Sequence, residues 1–276
     1  MSTQRSNSEL CARLFILKIL YNSFKLTMKK IKLSIIMVVK NGLPFIKDAI
    51  NSYNKQTYKN KELIIVCSPS TDGTENFLLS LKKKYKYTII FDKKSKNKFG
   101  SLNIGISMAK GEHIGILHSD DIFYSNTVLN NVVKKITKTN SDFLYGDCVF
   151  INKDNSKIVR EWISGKFYKY KLKFGWMPPH TTTFIKKKIF TNDVYNLNYK
   201  ISGDYEFLLR ILNKDIKVNY IKKKLCKMRI GGDSTNFKNI FLKLNEDYQI
   251  ANIYFSLPLL TIIVKITQKI NQFKVL

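Results

Sequence analysis

Two adjacent carboxylates interrupt an apolar run in the middle of the chain. In residues 111–124, GEHIGILHSDDIFY, the apolar run 114–117 is followed by His118, Ser119, Asp120 and Asp121. Neighbouring carboxylates raise each other's pKa unless a cation or hydrogen-bond donors share the site. The pattern therefore predicts a divalent cation and a diphosphate at the end of a buried strand. The alternative is that Ser119 or Asp120 only caps the helix that follows.

A third acid of interest begins a later amphipathic segment. The sequence SGDYEFLLRIL starting at Ser202 predicts a helix with Tyr205 and Leu208 on its apolar face and Asp204 in its first turn. An acid at this position is favoured by the helix dipole, so Asp204 is either a functional carboxylate or a helix-start acid with no other role.

The elements that must position these acids alternate regularly in the first half. Strands are predicted at 33–39, 63–67, 87–91 and 114–117, with helices between them and an apolar helical stripe at 128–136. This alternation predicts a doubly wound, mostly parallel sheet. The polar turns 41–42, 68–73 and 118–121 each follow a strand, so we expect them to converge on one cleft. None of them contains a GxGxxG or Walker motif.

The second half is less regular. Further strands are predicted at 143–149, 157–163, 181–185, 217–220 and 225–230, with an aromatic loop at 167–180. The fold class is therefore α/β, with a mixed, mostly parallel sheet, helices on both faces, a single domain and a C-terminal helical tail.

The chain divides into three parts by composition. Residues 1–30 are predicted to be a poorly ordered or loosely helical extension, and Met28 is an alternative start. The domain is predicted to span 31–232, in two halves at 31–125 and 126–232. The tail, 233–276, contains a mostly apolar stretch that is too short to span a bilayer and is followed by lysines. It either lies on an anionic membrane or packs on the domain as a terminal helix.

The charge is strongly positive. Lys and Arg number 48 against 20 Asp and Glu, which gives +28, and nearly all of the excess is Lys. Lysine is poorly suited to bidentate base recognition, so no specific nucleic-acid partner is expected, whereas attraction to anionic surfaces is. Heavy use of Lys, Asn and Ile also indicates biased codon usage, which explains part of the positive charge equally well. The four cysteines are widely spaced, which argues against a disulfide framework or a zinc site and favours the cytosol.

Several segments together resemble the inverting family 2 nucleotide-sugar glycosyltransferases of the GT-A fold. They are SIIMVVKNG at 34–42, KQTYKNKELIIV at 55–66, STDGT at 70–74, LNIGISMAKGEHIGILHSDD at 102–121 and GDYEFLLR at 203–210. The order and spacing are specific, and the resemblance covers residues 32–230. It implies that 31–125 is the nucleotide-sugar half of the domain and 126–232 the acceptor half. YGD at 145–147 and GWMPPHTTTFIKK at 175–187 are similar to the subgroup that builds bacterial surface polysaccharides and glycolipids.

The resemblance implies a role for each candidate residue. Asp204 would be the general base, and Asp120 with Asp121 would hold Mg²⁺ or Mn²⁺ against the diphosphate of a nucleotide-sugar donor. Trp176 and His180 would lie on the acceptor side, although His180 is equally well explained as an ordinary histidine. The acceptor would be a glycan or a lipid-linked sugar at the inner face of the cytoplasmic membrane. The implied donor-binding residues are Val39, Asn41, Cys67, Ser68, Asp72, Asn103, His118 and Ser119.

Three acids that this family commonly uses for the donor are absent. Cys67 stands at the end of the second strand, Ser95 and Gly100 precede or open the helix of Asn103, and His118 replaces the first acid of the DxD motif. Loss of such acceptors costs about 1–3 kcal/mol each in donor binding. The alternative function is therefore a catalytically impaired protein of the same fold that binds a partner or a glycan.

Overall fold

The computed structural model describes residues 30–191, 194–231 and 239–271. From Lys32 onward the chain forms one compact unit. The predicted N-terminal extension and the alternative start at Met28 lie outside the described residues. The proposed domain boundaries therefore remain predictions.

Within the described ranges, nine strands form one sheet, and seven α-helices accompany it. The strands are β1 (Leu33–Val39), β2 (Lys61–Cys67), β3 (Thr88–Phe91), β4 (His113–Ile116), β5 (Ile122–Phe123), β6 (Phe143–Ile151), β7 (Ile158–Trp162), β8 (Phe184–Lys186) and β9 (Val218–Arg229). The helices are α1 (Ile46–Asn54), α2 (Thr74–Lys84), α3 (Lys98–Met108), α4 (Val128–Thr139), α5 (Gly203–Leu212), α6 (Ile240–Tyr254) and α7 (Pro258–Asn271).

The sheet is parallel in the first half and mixed in the second. Its order is β3-β2-β1-β4-β8-β6-β9-β5, with β7 paired to β6. Strands β1 to β4 are mutually parallel, whereas β8 runs antiparallel to both β4 and β6. The chain adds β2 and β3 on one side of β1 and then returns to place β4 on the other side. Because crossovers between parallel strands are right-handed, this return puts α3 on the opposite face of the sheet from α1 and α2. The predicted α/β fold with a mixed sheet is confirmed.

Helix α3 lies close against the sheet over the main hydrophobic core. This core joins Ile36 and Val66 of the sheet to Phe99 and Leu102 of α3 and to several residues of α5. A Cβ on Gly105 would lie 2.6 Å from Cγ2 of Ile36, so only glycine allows this approach. The helix that carries Asp204 is thus fixed through α3 to the parallel half of the sheet.

The second half differs from the sequence prediction in two places. Strand β9 is continuous, whereas the predicted strands 217–220 and 225–230 left the lysines 222–224 in a loop. Those lysines remain in the strand because Lys222 and Lys223 point to solvent and Lys224 pairs with Glu161. The predicted strand 181–185 begins instead as a 3₁₀ turn at His180–Thr182 and becomes β8 only at Phe184.

The C-terminal segment consists of two helices rather than one broken stretch. Pro258 stands at the start of α7, where its missing N–H costs nothing, and residues 255–257 connect the helices. In the part of the chain that the structure describes, no helix is long and apolar enough to cross a membrane.

Candidate active site

The carboxyl ends of β1, β2 and β4 meet at one edge of the sheet. Val39 pairs with Cys67 at the ends of β1 and β2, and the N–H of Leu117, just after β4, donates to the Ile36 carbonyl at 3.0 Å. The side chain of Ser119 lies beside Gly42, 3.7 Å from where a Cβ would stand. The predicted convergence of the three turns is therefore present.

The first two turns are joined by side-chain hydrogen bonds. The N–H of Asn41 donates to Ser70, that of Gly42 to Thr74, and that of Leu43 to the carboxylate of Asp72, at 2.8–3.0 Å. The Asn41 side chain accepts the N–H of Thr71 in return. Asn41 and Asp72 thus build the wall of the cleft, and direct contact of either with a donor remains a prediction.

An acid that sequence reasoning missed lies behind this wall. Asp92 follows β3 and is buried, and its carboxylate accepts the N–H groups of Lys94 and Ser95 at 3.0 Å and the hydroxyl of Ser101 at 2.7 Å. Burial alone would raise the pKa of Asp92, but these donors lower it to about 2. The Ser101 hydroxyl lies 3.4 Å from that of Ser68, so the network reaches the turn that follows β2.

The loop held by Asp92 fills the space beside Gly100. A Cβ on Gly100 would lie 2.9 Å from both Cβ and Oγ of Ser95. An acid at position 100, which the resemblance leads one to expect, would therefore require Ser95 to move. The Cys67 thiol at the end of β2 is also uncharged at neutral pH, since burial raises its pKa.

The two adjacent carboxylates have different environments. Asp121 is buried, and its Oδ1 accepts the N–H of Arg229 at 3.2 Å while its Oδ2 has no hydrogen-bond partner. Burial and the neighbouring Asp120 raise the pKa of Asp121 well above its ordinary range. Asp120 is half-buried at the cleft. Asp120 is therefore the member of the pair suited to an incoming ligand.

Arg229, at the end of β9, donates hydrogen bonds to the loop that carries Asp120 and Asp121. Its guanidinium is buried and donates to the Asp120 carbonyl at 3.0 Å, to the Lys153 carbonyl at 2.9 Å and to the Asp48 carboxylate at 2.6 Å. The same group lies 4.6 Å from the centre of the Phe45 ring. Sequence reasoning missed this residue, although an arginine in a chain dominated by lysine was a usable signal.

The donor set suits a metal that arrives with a diphosphate. Among the described residues, no group of three or more His, Cys, Asp or Glu side chains could hold a metal ion. Mg²⁺ commonly binds through one or two carboxylates together with substrate phosphates and water. Asp120 can supply one carboxylate at the cleft, and the partnerless Oδ2 of Asp121 lies next in sequence. These residues therefore fit Mg²⁺ or Mn²⁺ bound together with a substrate.

Two histidines bring the loop of Asp120 next to the 3₁₀ turn His180–Thr182. The rings of His118 and His180 lie 5.9 Å apart, and Nε2 of His180 shares a hydrogen bond of 2.5 Å with the Tyr195 hydroxyl. Burial lowers the pKa of His180 to about 4, with smaller contributions from Asp204, which raises it, and from His118 and Lys98, which lower it. His180 is therefore neutral at physiological pH.

Asp204 lies in the first turn of α5, in the same environment. Its Oδ1 accepts the N–H of Tyr205 at 2.8 Å. Burial alone would raise the pKa of Asp204, but His180, Lys98 and Lys243 lower it below the ordinary range. Asp204 is thus a charged carboxylate at neutral pH.

The segment in front of Asp204 is held by Glu246 of α6. The buried Glu246 carboxylate accepts the N–H groups of Lys200 at 2.8 Å, Ile201 at 3.0 Å and Ser202 at 2.8 Å. A carboxylate that accepts three backbone N–H groups fixes that backbone firmly. Sequence reasoning missed Glu246, since it lies about 40 residues beyond the motif it supports.

Two predicted ligand contacts are already used within the protein. Asn103 exchanges two hydrogen bonds of 2.9 Å with the backbone of Tyr195, and Trp176 donates its indole N–H to the Ser164 carbonyl at 2.8 Å. Asn103 therefore positions the partner of His180, and Trp176 packs against Tyr145. Their direct roles toward donor and acceptor remain predictions.

Comparison with known proteins adds the family. The model of glycosyl transferase family 2 matches residues 34–196, more than half of the chain. An uncharacterized glycosyltransferase of Methanocaldococcus jannaschii is 28% identical over 211 residues, which cover 74% of this chain and 72% of that protein. The UDP-Glc:alpha-D-GlcNAc-diphosphoundecaprenol beta-1,3-glucosyltransferase WfgD of Escherichia coli is 26% identical over 227 residues, 82% of this chain and 87% of that protein.

Solved structures share the fold. Staphylococcus aureus TarS 1–349 in complex with UDP-GlcNAc superimposes with a TM-score of 0.61 at 17% identity, over 80% of this chain and 65% of that one. The mannosyltransferase PcManGT of Pyrobaculum calidifontis, in complex with GDP-Man and Mn²⁺, gives a TM-score of 0.64 at 15% identity, over 86% and 69%. The sequence match, the shared fold and the acids at the ends of the strands agree: the chain belongs to glycosyl transferase family 2 and is a glycosyltransferase.

Proposed function

We propose that this glycosyltransferase moves a sugar, with inversion, from a nucleotide-diphosphate donor to a glycan or lipid-linked acceptor. The observation that carries the proposal is the contact of His118 with His180, because it brings the loop of the cleft acid Asp120 next to the environment of Asp204. Inversion requires the acceptor hydroxyl to attack the anomeric carbon from the side opposite the departing diphosphate. A donor-side acid and an acceptor-side base that flank one cleft meet that requirement.

Asp204 is the proposed base. Its carboxylate is charged at neutral pH because its pKa is lowered, so it can take the proton of the acceptor hydroxyl as that oxygen attacks. His180 next to it is neutral, and its Nε2 is engaged in the hydrogen bond with the Tyr195 hydroxyl. Lys98, whose charge lowers the pKa of both groups, keeps the base ionised.

Asp120 is the proposed donor-side acid. A bound Mg²⁺ or Mn²⁺ would supply positive charge to the leaving nucleoside diphosphate. In this proposal Asp120 holds the ion, and Arg229 fixes the loop of Asp120 by donating a hydrogen bond to the Asp120 carbonyl. Asp121, whose buried Oδ2 has no hydrogen-bond partner, is the second acid proposed for the ion.

The proposed setting is cell-surface polysaccharide or glycolipid synthesis at the cytoplasmic face of the membrane. The relative WfgD is named for an acceptor on diphosphoundecaprenol, a lipid carrier. A lipid-linked acceptor would also suit this basic protein, because lipid diphosphates and anionic membranes attract positive charge.

The filled space beside Gly100 favours one second candidate, a protein that keeps the fold but has lost the reaction. Ser95 stands where an acid at position 100 would go, and Cys67 replaces another acid. In that case the cleft would bind a glycan or partner without turnover. The electrostatic coupling of Asp204 with His180, which lowers the pKa of Asp204, is not required by such a role.

The deciding experiment is calorimetric titration of UDP, GDP and CDP, each with and without Mn²⁺. Wild type is compared with Asp120→Ala and with Asp215→Ala, an exposed acid in the turn after α5. We expect Mn²⁺-dependent binding of one nucleotide that Asp120→Ala loses and Asp215→Ala keeps. Absence of binding to folded wild type at millimolar concentration would support the second candidate instead.

A further inference from the structure

The two C-terminal helices bury charged side chains and expose several large apolar ones. In α7, Thr261 is 1% exposed and Lys265 is 8% exposed, whereas Leu259 is 65% exposed and Ile263 is 57% exposed. In α6, both acids, Glu246 and Asp247, are buried. This arrangement is the reverse of an ordinary surface helix, whose apolar stripe faces the core.

The inner side of α7 is held by polar contacts. Asp247 pairs with Lys265 at 3.0 Å and with Lys243 at 2.7 Å, and these charges lower the pKa of Asp247 to about 2 against the effect of burial. The Thr261 hydroxyl donates to the Lys173 carbonyl at 2.8 Å, and the Gln268 side chain to the Phe174 carbonyl at 3.0 Å. The orientation of the helix is therefore specified by its polar residues.

Close packing fixes the same orientation. At Gly175, a Cβ would lie 2.6 Å from Cβ of Lys265 and 2.8 Å from the Thr261 carbonyl oxygen. Gly175 also has φ +72°, a conformation that glycine adopts without strain. The helix cannot rotate its apolar side inward without breaking these contacts. Ile262 packs inward, whereas Leu259, Leu260, Ile263 and Ile266 remain on the exposed side.

The outward side forms a continuous stripe, which we call the outer face of α7. Leu259 and Ile263 are one helical turn apart, Ile266 follows on the same side, and Leu260 flanks them. Glu246 and Asp247 are the acidic residues of segment 240–271, and both are buried, so the outer face has no acid of this segment beside it.

Positive charge and aromatic rings border the outer face. The 3₁₀ segment Lys169–Phe174, against which α7 packs, exposes the side chains of Lys169 and Lys173 and the rings of Tyr170 and Phe174. Aromatic and lysine side chains next to an apolar stripe are typical of surfaces that lie in the headgroup region of a membrane. The whole chain carries +28.

The charge also selects between occupants. A second copy of this chain would bring another strongly positive protein to a rim that is itself positive, which opposes association. A membrane with anionic lipids offers apolar area and compensating charge together. In the described ranges no helix can cross a bilayer, so the contact would be interfacial.

We propose that the outer face of α7, bordered by Lys169 and Lys173, is a docking surface for an anionic lipid membrane. On the inner side of the pair α6 and α7, Glu246 of α6 accepts the N–H of Ser202, two residues before Asp204. A docked membrane would therefore lie on the side of these two helices that faces away from Asp204. The inference does not depend on the proposed reaction, since vesicle binding needs neither donor nor acceptor.

The test is co-sedimentation of the full chain with vesicles of phosphatidylcholine alone or with about one third phosphatidylglycerol. The variant Leu259→Ser/Ile263→Ser removes the apolar stripe. Leu79→Ser, an exposed leucine of α2, is the matched control. Lys169→Glu/Lys173→Glu reverses the two exposed charges at the border. Circular dichroism establishes that each variant is folded.

We expect wild type to prefer anionic vesicles. Each double variant should bind them about tenfold or more weakly, because it loses either two apolar side chains that would be buried in the membrane or two lysine contacts with the lipids. Leu79→Ser should bind as wild type does. Equal binding of wild type and Leu259→Ser/Ile263→Ser would overturn the proposal. So would a dimer in solution that this double variant abolishes while vesicles fail to bind. Nucleotide titration of the same samples separates failure of docking from failure of the donor site.

Discussion

The Glu246 carboxylate accepts the backbone N–H of Ser202 at 2.8 Å, two residues before Asp204. Because Glu246 also accepts the N–H groups of Lys200 and Ile201, the start of α5 is fixed by a helix that follows it in the chain by more than 30 residues. The position of the proposed base therefore depends on the C-terminal helices.

Glu246→Gln should weaken this attachment. The amide keeps one acceptor oxygen but turns an NH₂ group toward a backbone N–H, so we expect a loss of about 2–4 kcal/mol in the free energy of unfolding. We also expect a lower kcat at an unchanged KM for the donor, because Asp204 is displaced while the donor side is not. Urea unfolding and steady-state kinetics measure the two effects. Gln249→Ala, an exposed position on the same helix, is the control. A kcat equal to that of wild type would show that Glu246 serves stability alone.

Asp204→Asn should remove the base and leave the donor site intact. Loss of a general base lowers the rate by about 10²–10⁴-fold. The nucleotide dissociation constant should stay within about twofold of wild type, since the change is on the acceptor side. Release of nucleoside diphosphate measures the rate, and calorimetry measures binding. Loss of nucleotide binding together with the rate would place Asp204 on the donor side and contradict the assignment.

His180 should make the protein less stable in mild acid. The pKa of His180 is about 4 in the folded protein and 6.5 for the free side chain, because burial disfavours the charged form. The unfolded chain therefore binds more protons between these values. The contribution of His180 to stability is complete above pH 6.5 and falls by about 3 kcal/mol as the pH drops to 4.

Urea unfolding of wild type and His180→Asn at several pH values between 7 and 4 measures this contribution. The variant should show a shallower decline over that interval. The pKa of His113 is also lowered by burial, but His113 is present in both proteins and cancels in the difference. Parallel pH profiles would mean that His180 titrates normally in the folded state.

Arg229→Lys should affect the metal-dependent step. A lysine cannot donate at once to the Asp120 carbonyl, the Lys153 carbonyl and the Asp48 carboxylate. We expect a loss of about 2–4 kcal/mol in stability and about tenfold weaker Mn²⁺-dependent nucleotide binding. Asp48→Asn removes only the half-exposed partner and should have a smaller effect on both. Thermal unfolding and calorimetry report the results, and equal effects of the two substitutions would contradict this account.

Gly100→Asp should be destabilising although it restores an acid of the family pattern. Its Cβ would lie 2.9 Å from Cβ and Oγ of Ser95, and overpacking of this kind costs about 1–3 kcal/mol. Ser95→Gly/Gly100→Asp should recover most of that loss, since the side chain in the way is gone. The midpoint of thermal unfolding compares the two. If Gly100→Asp alone were as stable as wild type, the loop that carries Ser95 would be able to move aside without loss of stability.

The amino-acid sequence by itself determined the alternating strands and helices of the parallel half, the family, and the candidate acids Asp120 and Asp204. These follow from local pattern, because strand and helix periodicity and the residues at a strand's end are encoded over a few positions. The two short strands predicted at 217–220 and 225–230 were wrong as separate elements, since β9 pairs with β6 on both sides of the exposed Lys222 and Lys223 and continues through them.

Only the tertiary structure decided how equivalent residues divide their tasks. Asp120 and Asp121 are adjacent acids in the sequence, but in the structure Asp121 is buried and accepts the N–H of Arg229, whereas Asp120 is half-buried at the cleft. Asp92, Glu246 and the outward apolar face of α7 likewise depend on partners distant in the chain. Buried charge is tolerated only where such partners meet it, and which residues meet is a property of packing rather than of local pattern.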